Sequence, residues 1–230
     1  MTARSPAPGG FGPGLLPFLR ELAKNNDREW FTENKARYLE QVQGPALGFI
    51  RTIGPRLEAL SPHLVADPRP VGGSMMRVYR DIRFSRDKTP YRTTVGIHFR
   101  HDAQRSRDES LPGFFLHLAP GDSWAYAGIW QPEGPRLQQI RLAIVDRTPD
   151  WRKVRAAVPE IEGESLKRPP TGFDPGHPYI ADLKRKSFSA GRPFRNSEVT
   201  GAGFPDRFPS VCRELNPLNR FLAKAVGVEY

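Results

Sequence analysis

The sequence predicts a single α+β domain in which helices pack against one antiparallel sheet. Three observations predict this fold class. Apolar residues follow helical spacing through the first sixty positions, alternate with polar residues between 74 and 130, and return to helical spacing after 133. Because no linker-like segment separates these regions, residues 13–230 are interpreted as one domain, preceded by a disordered or loosely ordered tail at 1–12.

The N-terminal third is predicted to be helical. Apolar side chains recur at helical spacing in 15–24 and again in 45–60. Between them, Asp27 in "NNDREWF" is suited to cap a helix over 28–42, because its carboxylate can accept a backbone N–H of the first turn. We expect the aromatic pair "WF" that follows this cap to be at least partly buried and structural.

The central part predicts a sheet of about four or more strands within 74–130, antiparallel where the links are short. The alternating segments are 74–81, 93–101, 113–120 and 123–132. The tetrapeptide "APGD" is typical of a hairpin turn between the last two of them. The basic stretch 80–92 is then the long connection between the first two strands.

The C-terminal part returns to helices around a long irregular segment. We predict helices at 133–146 and 150–158. A loop over 163–195 follows, with a short helix at 178–185. Two further helices are predicted at 204–215 and 217–226.

Positive charge is concentrated in two segments. The chain has a formal net charge of +10 and a pI near 10.1. Residues 77–92 hold six basic and two acidic side chains, and residues 165–195 hold seven basic and two acidic ones, which gives +4 and +5. Such an excess favours an anionic small molecule or a nucleic acid as partner.

Several classes of protein are excluded by the sequence. No run of about 18 apolar residues exists, so no membrane partner is expected. The first residues lack the apolar core of a secretory signal, and Cys212 is a single cysteine that can form no intramolecular disulfide. A cytoplasmic protein is therefore predicted, and its oligomeric state is left open.

Motifs for metal or cofactor chemistry are missing from the sequence. It contains no glycine-rich phosphate loop, nucleophile elbow, HExxH or paired-cysteine pattern. His98 and His101 are three apart on a predicted strand and should point to opposite faces, so no metal and no cofactor are expected. His117 could lie beside His98 on a neighbouring strand, which makes His98, His117 and Tyr79 weak catalytic candidates.

The ordered set "NNDREWF", "NKARY", "SMMRVYRDIRFSRDKTPYRT", "GIW" before "QPE", "LKRPPTGFD" and "HPYIADLKRKSF" resembles one family. This is the bacterial and fungal family called domain of unknown function 2461, and the resemblance covers about residues 14–226. It implies that both basic segments and the "NNDREWF" turn are signature positions of the family. It carries no established activity, cofactor or catalytic residue. Arg92 departs from the family pattern, where lysine is expected as often.

Two interpretations of the basic stretch remain open. In the first, Asp81 and Asp87 are structural ion-pair partners that each take an arginine, with Arg77, Arg80 and Arg83 as donors. In the second, the stretch meets the other basic segment in one cleft that binds an anion. The predicted ligand-binding residues are then Arg77, Arg80, Arg83, Lys88, Tyr91, Lys167, Arg168, Lys184 and Lys186. Exposed aromatic rings such as Tyr79, Tyr91 and Trp130 would stack on a base.

Three functions therefore stay open at the level of sequence. The first is a module that binds a phosphate-containing anionic ligand or nucleic acid in a basic, aromatic-lined cleft. The second is a metal-independent enzyme acting on a phosphorylated or nucleotide-like substrate. The third is a protein-interaction domain whose basic residues are mainly structural salt bridges.

Overall fold

The computed structural model of the chain describes residues 10–104 and 110–230. In these residues a five-stranded antiparallel sheet packs against helices, which confirms the predicted α+β fold class. The strands follow one another in chain order across the sheet. They are β1 (Leu64–Val65), β2 (Val95–His101), β3 (Gly113–Leu118), β4 (Ser123–Ile129) and β5 (Phe188–Phe194).

Helices flank the sheet in sequence on both sides. They are α1 (Leu15–Lys24), α2 (Arg28–Glu33), α3 (Lys35–Tyr38), a π-helical turn (Leu39–Gln43), α4 (Gly44–Glu58), α5 (Gly134–Asp146), α6 (Thr148–Ala157), α7 (Ile180–Leu183), α8 (Asn196–Thr200) and α9 (Phe204–Ala225). The backbone N–H of Trp30 donates to the Asp27 carboxylate at 2.9 Å, so the predicted cap of α2 is confirmed. Trp30 is half-buried and Phe31 is buried, as expected.

The predicted helix over 28–42 is interrupted at Asn34. The side-chain amide of Asn34 donates to the Trp30 carbonyl at 2.9 Å, and this carbonyl also accepts the backbone N–H of Asn34 at 3.0 Å. A short polar side chain that bonds nearby backbone groups competes with helix continuation, and the chain restarts as α3 one residue later.

Helix α9 is one continuous helix where two short ones are predicted. Pro209 and Pro217 lie inside it, and an internal proline costs about 3 kcal/mol or more of helix stability. The buried face of α9, which includes Phe208, Cys212 and Leu215, packs against β4 and β5 and offsets that cost. No helix within the described ranges combines the length and apolar character needed to cross a membrane.

The observed strands differ from the predicted ones at three places. Strand β1 lies before the predicted sheet region 74–130. The predicted strand 74–81 forms isolated bridges instead, from Met75 to Ile97 and from Tyr79 to Tyr91. Strand β5 lies inside the predicted loop 163–195. Its sequence, "FSAGRPF", contains glycine and proline, which weaken a strand pattern and are tolerated at the edge of a sheet.

The start of the predicted tail lies outside the described residues, which begin at Gly10. Phe11 is 1% exposed, and its ring lies 4.9 Å from that of Phe49 and 5.8 Å from that of Phe204. The segment just before α1 therefore contributes an aromatic ring to the core.

Candidate functional site

The first basic segment folds back on itself as a hairpin. The backbone N–H of Arg80 donates to the Pro90 carbonyl at 2.9 Å, and that of Arg92 donates to the Val78 carbonyl at 2.7 Å. Residues 77–92 are called the basic hairpin below.

Two arginine–aspartate pairs close the loop of the basic hairpin. Arg83 donates to Asp81 through Nε at 3.0 Å and through a terminal nitrogen at 2.7 Å, and these bonds lower the pKa of Asp81 to about 2. Arg80 donates to Asp87 and to the Thr89 hydroxyl. The backbone N–H of Thr89 and then the Arg80 guanidinium lower the pKa of Asp87 to about 2. Two of the six cations are thus paired with carboxylates.

The other four cations of the basic hairpin pair with no carboxylate in the described residues. Arg77 and Arg86 are exposed and make no side-chain hydrogen bond there. Lys88 donates to the Ile82 carbonyl at 3.0 Å. Arg92 is half-buried, and its buried Nε has no hydrogen-bond partner in this part of the molecule. The basic hairpin therefore keeps a net charge of +4.

An open pocket of about 440 Å³ lies between the end of α1 and the basic hairpin. It is lined by Ala23, Asn26, Arg80, Asp87, Thr89, Tyr91, Arg92, Thr93 and Thr94. Among these lining residues, all within the described chain, Asp87 is the single carboxylate, and it pairs with Arg80. Three threonines and an asparagine add neutral hydrogen-bonding groups, a composition that suits an anion.

The aromatic residues of the basic hairpin have different roles. Tyr91 is 5% exposed, and its ring stacks on Phe31 at 4.0 Å, so it anchors the hairpin instead of presenting a free face. Tyr79 is 51% exposed. Phe84 is 95% exposed at the tip, with the Arg83 guanidinium 5.8 Å from its ring centre. Phe84 is not among the binding residues predicted from the sequence.

The two basic segments attach to the sheet at opposite edges. Ser74 and Met76 bond to the outer edge of β2, whereas Glu162 bonds to Ser189 on the outer edge of β5. Three strand spacings separate β2 from β5, which is about 14 Å. No hydrogen bond or ion pair between the described residues joins the two segments, and the convergence of Arg77, Arg80, Arg83 and Lys88 with Lys167, Arg168, Lys184 and Lys186 stays a prediction.

Part of the second basic segment serves the fold. Asp182 is 3% exposed and accepts the indole N–H of Trp151 at 2.9 Å and Nε of Arg185 at 3.0 Å. Lys186 pairs with Glu164 at 3.1 Å. Lys167, Arg168 and Lys184 form no ion pair with the residues that the structure describes.

One face of the sheet presents aromatic and histidine side chains to solvent. His98, Phe115, His117, Trp124 and Tyr126 point to this side and are half-buried, while their neighbours along each strand are buried on the other side. This side is called the open face below. The rings of Trp124 and Tyr126 stack at 5.8 Å.

The two candidate histidines share the open face. His117 lies opposite Gly96, and His98 lies opposite Phe115. The two histidines are therefore diagonal neighbours on adjacent strands, two residues out of register. Burial and the nearby Arg100 lower the pKa of His98 to about 4, and burial lowers the pKa of His117. Both imidazoles are therefore neutral at pH 7.

The open face borders the basic hairpin. A side chain at Gly96 would meet the Met76 sulfur, so Met76 covers Gly96 on this face. The residue after Met76 is Arg77, the first of the basic hairpin.

The comparison with known families confirms the resemblance that the signature motifs of the sequence indicate. A family model described as conserved hypothetical protein, DUF2461, matches residues 14–221. The chain belongs to this family. The match spans the basic hairpin, the open face and the second basic segment of this DUF2461 member. Neither the curated proteins nor the solved structures contain a significant match to it.

Proposed function

We propose that this protein binds single-stranded nucleic acid, with strand phosphates on the basic hairpin and bases on the adjoining open face. The observation that carries the proposal is the position of four carboxylate-free cations, Arg77, Arg86, Lys88 and Arg92, beside a face of aromatic rings. Proteins that bind single strands combine these two features, because the backbone needs cations and the bases need flat partners.

Phosphate binding by the basic hairpin is supported by positive charge that no carboxylate of the described residues pairs with. Exposed like charges repel one another, and a bound phosphate relieves that repulsion. The 440 Å³ pocket could hold a phosphate and its sugar, with the guanidinium of Arg92 on one wall. A guanidinium fork suits phosphate geometry.

The base-binding part rests on aromatic surface that the fold leaves in water. Phe84 is almost fully exposed, and Tyr79, Trp124 and Tyr126 each keep part of a ring accessible. Stacking of a base on such a ring is worth about 1–3 kcal/mol and tolerates any base. We therefore expect little sequence preference.

A second candidate function is a metal-independent enzyme acting on a phosphorylated or nucleotide-like substrate. The observation in its favour is that two imidazoles, those of His98 and His117, lie together on the open face beside the basic hairpin. Release of phosphate from a nucleoside triphosphate, abolished in His98→Gln, would support this candidate. The cytoplasm stays the predicted compartment for either function.

Binding is tested by fluorescence anisotropy with a labelled oligothymidine over a range of salt concentrations. The double variant Arg86→Gln/Lys88→Gln removes two cations from the basic hairpin. Its control, Lys167→Gln/Arg168→Gln, removes the same charge at the opposite edge of the sheet. We expect the hairpin variant to bind at least about tenfold more weakly, with a salt slope reduced by about 1.4, and the control to keep the wild-type slope.

Two results would overturn the proposal. If the wild-type protein binds no strand at low salt, or if both double variants lose affinity equally, the basic hairpin is not a specific site. An abasic strand of equal length tests the open face separately. The protein should bind the abasic strand more weakly than oligothymidine. Equal affinity for the two strands would show that bases do not stack on the open face.

A further inference from the structure

A second cluster of polar side chains lies where β1 meets β2, away from the basic hairpin. His63 precedes β1, His101 ends β2, and the backbone N–H of Asp102 donates to the His63 carbonyl at 2.8 Å. The two imidazole rings are parallel, at 3° and 5.2 Å. Each points Nδ1 at the same carboxylate, since the Asp102 oxygens lie 3.0 Å from His63 and 3.1 Å from His101.

The opposite side of both rings is held by Glu229. Nε2 of His101 lies 2.7 Å from the Glu229 carbonyl oxygen, and Nε2 of His63 lies 3.5 Å from the Glu229 carboxylate. A carbonyl oxygen only accepts, so the proton of His101 is on Nε2 and the lone pair is on Nδ1. Metal-binding histidines are oriented in this way, by giving the other ring N–H to a carbonyl or carboxylate.

The Nδ1 atom of His101 lies close to the Asp102 carboxylate. Nδ1 of His101 accepts the backbone N–H of Ala103 at 3.1 Å, and the same nitrogen faces an Asp102 oxygen. Positive charge between this nitrogen and the carboxylate, from a proton or from a metal ion, stabilises the contact. His101 is 3% exposed, so water screens this contact poorly.

We propose that His63, His101 and Asp102 form a binding site for a divalent transition-metal ion, with Zn²⁺ as the best match. Two imidazoles and a carboxylate are ligands that zinc prefers. The three ligand atoms lie within 4.8 Å of one another, and a tetrahedral zinc needs about 3.3 Å between ligands, so a small closure of the rings completes the site.

The remaining features of the site follow from this geometry. The Asp102 side chain is 49% exposed, which gives solvent and a fourth ligand access to the ion. Metal binding at Nδ1 of His101 replaces the Ala103 N–H bond. Because Glu229 holds both rings, the ion would also fix segment 227–230 against β2. The sequence predicts no metal site because His98 and His101 point to opposite faces of one strand, and His63 comes close to His101 only in the folded domain.

The test is a calorimetric titration of chelator-treated protein with Zn²⁺. We expect one equivalent to bind to the wild-type protein and to raise its melting temperature. His63→Gln and Asp102→Asn should each weaken binding at least about tenfold and lose that rise. His177→Gln is the matched control, because His177 is a half-buried histidine outside the cluster. It should bind as the wild type does.

Co²⁺ gives a second readout that does not depend on stability. Tetrahedral ligation in the wild-type protein should produce visible d–d absorption that His63→Gln lacks. Failure of the wild type to bind one equivalent, or equal binding by His63→Gln and His177→Gln, would overturn the proposal. Cys212 is too inaccessible to compete, since its thiol is buried on the inner face of α9.

Discussion

The side-chain amide of Asn26 forms two hydrogen bonds with the backbone of Tyr91. Its nitrogen donates to the Tyr91 carbonyl at 2.9 Å, and its oxygen accepts the Tyr91 N–H at 3.0 Å. These bonds join the turn between α1 and α2 to the second arm of the basic hairpin, 65 residues away. Together with the stacking of Tyr91 on Phe31, they fix the hairpin to the helical part of the domain.

Replacing Asn26 should therefore loosen the basic hairpin. Asn26→Ala leaves a part-buried N–H and carbonyl of Tyr91 without partners, which should cost about 1–3 kcal/mol in urea unfolding. Asn25→Ala is the control, because the exposed Asn25 side-chain amide donates to the nearby Glu21 carbonyl and its loss should stay within about 0.5 kcal/mol. Equal losses in the two variants would contradict this role of Asn26.

The cap of α2 gives a second prediction. Asp27→Ala removes the acceptor for the Trp30 N–H and should cost about 1 kcal/mol, whereas Asp27→Ser keeps a capping oxygen and should cost less. Thermal and urea unfolding measure both. A loss of nucleic-acid binding in Asp27→Ala at unchanged stability would instead assign the turn to the binding site.

His98 should make the stability depend on pH. Burial and Arg100 lower its pKa from 6.5 to about 4, so between these values the unfolded chain takes up a proton that the native state does not. The contribution of His98 to the free energy of unfolding is fully present above about pH 6.5. It falls as the pH decreases and is lost by about pH 4, a total change of up to about 3 kcal/mol.

His98→Gln should flatten the unfolding free energy over that window. His117, whose pKa burial also lowers, contributes in the same direction and remains in the variant. The carboxylates of Asp81 and Asp87 act at lower pH, since their pKa values are about 2. An unchanged slope between pH 6.5 and pH 4 would show that His98 is solvated in the native state.

The pairing of β4 with β5 depends on a glycine. Gly128 has φ +122°, and a Cβ there would lie 1.9 Å from the Phe188 carbonyl oxygen. Gly128→Ala should cost more than about 3 kcal/mol, because backbone strain and a steric clash add together. In Gly121→Ala the added Cβ meets open space at φ +80°, so strain alone applies and about 1 kcal/mol is expected. Chemical denaturation of the two variants compares these costs directly.

The sequence by itself determined the elements that depend on near neighbours. Helical spacing identified α1, a single carboxylate identified the start of α2, and alternation identified β2, β3 and β4. These signals act over three or four residues, or over one strand, so they are readable without the rest of the chain. The concentration of charge in 77–92 is of the same kind, and the structure keeps that charge in one hairpin.

Only the tertiary structure decided which strands, helices and side chains are neighbours in space. Strand β5 exists because seven residues pair with β4, and α9 continues through Pro217 because its buried face packs on the sheet. The order of the strands put the two basic segments on opposite edges, and contacts between residues 39 and 128 positions apart built the cluster of His63, His101 and Glu229. Such contacts leave no local pattern, because their energy comes from residues that the chain brings together only when the whole domain folds.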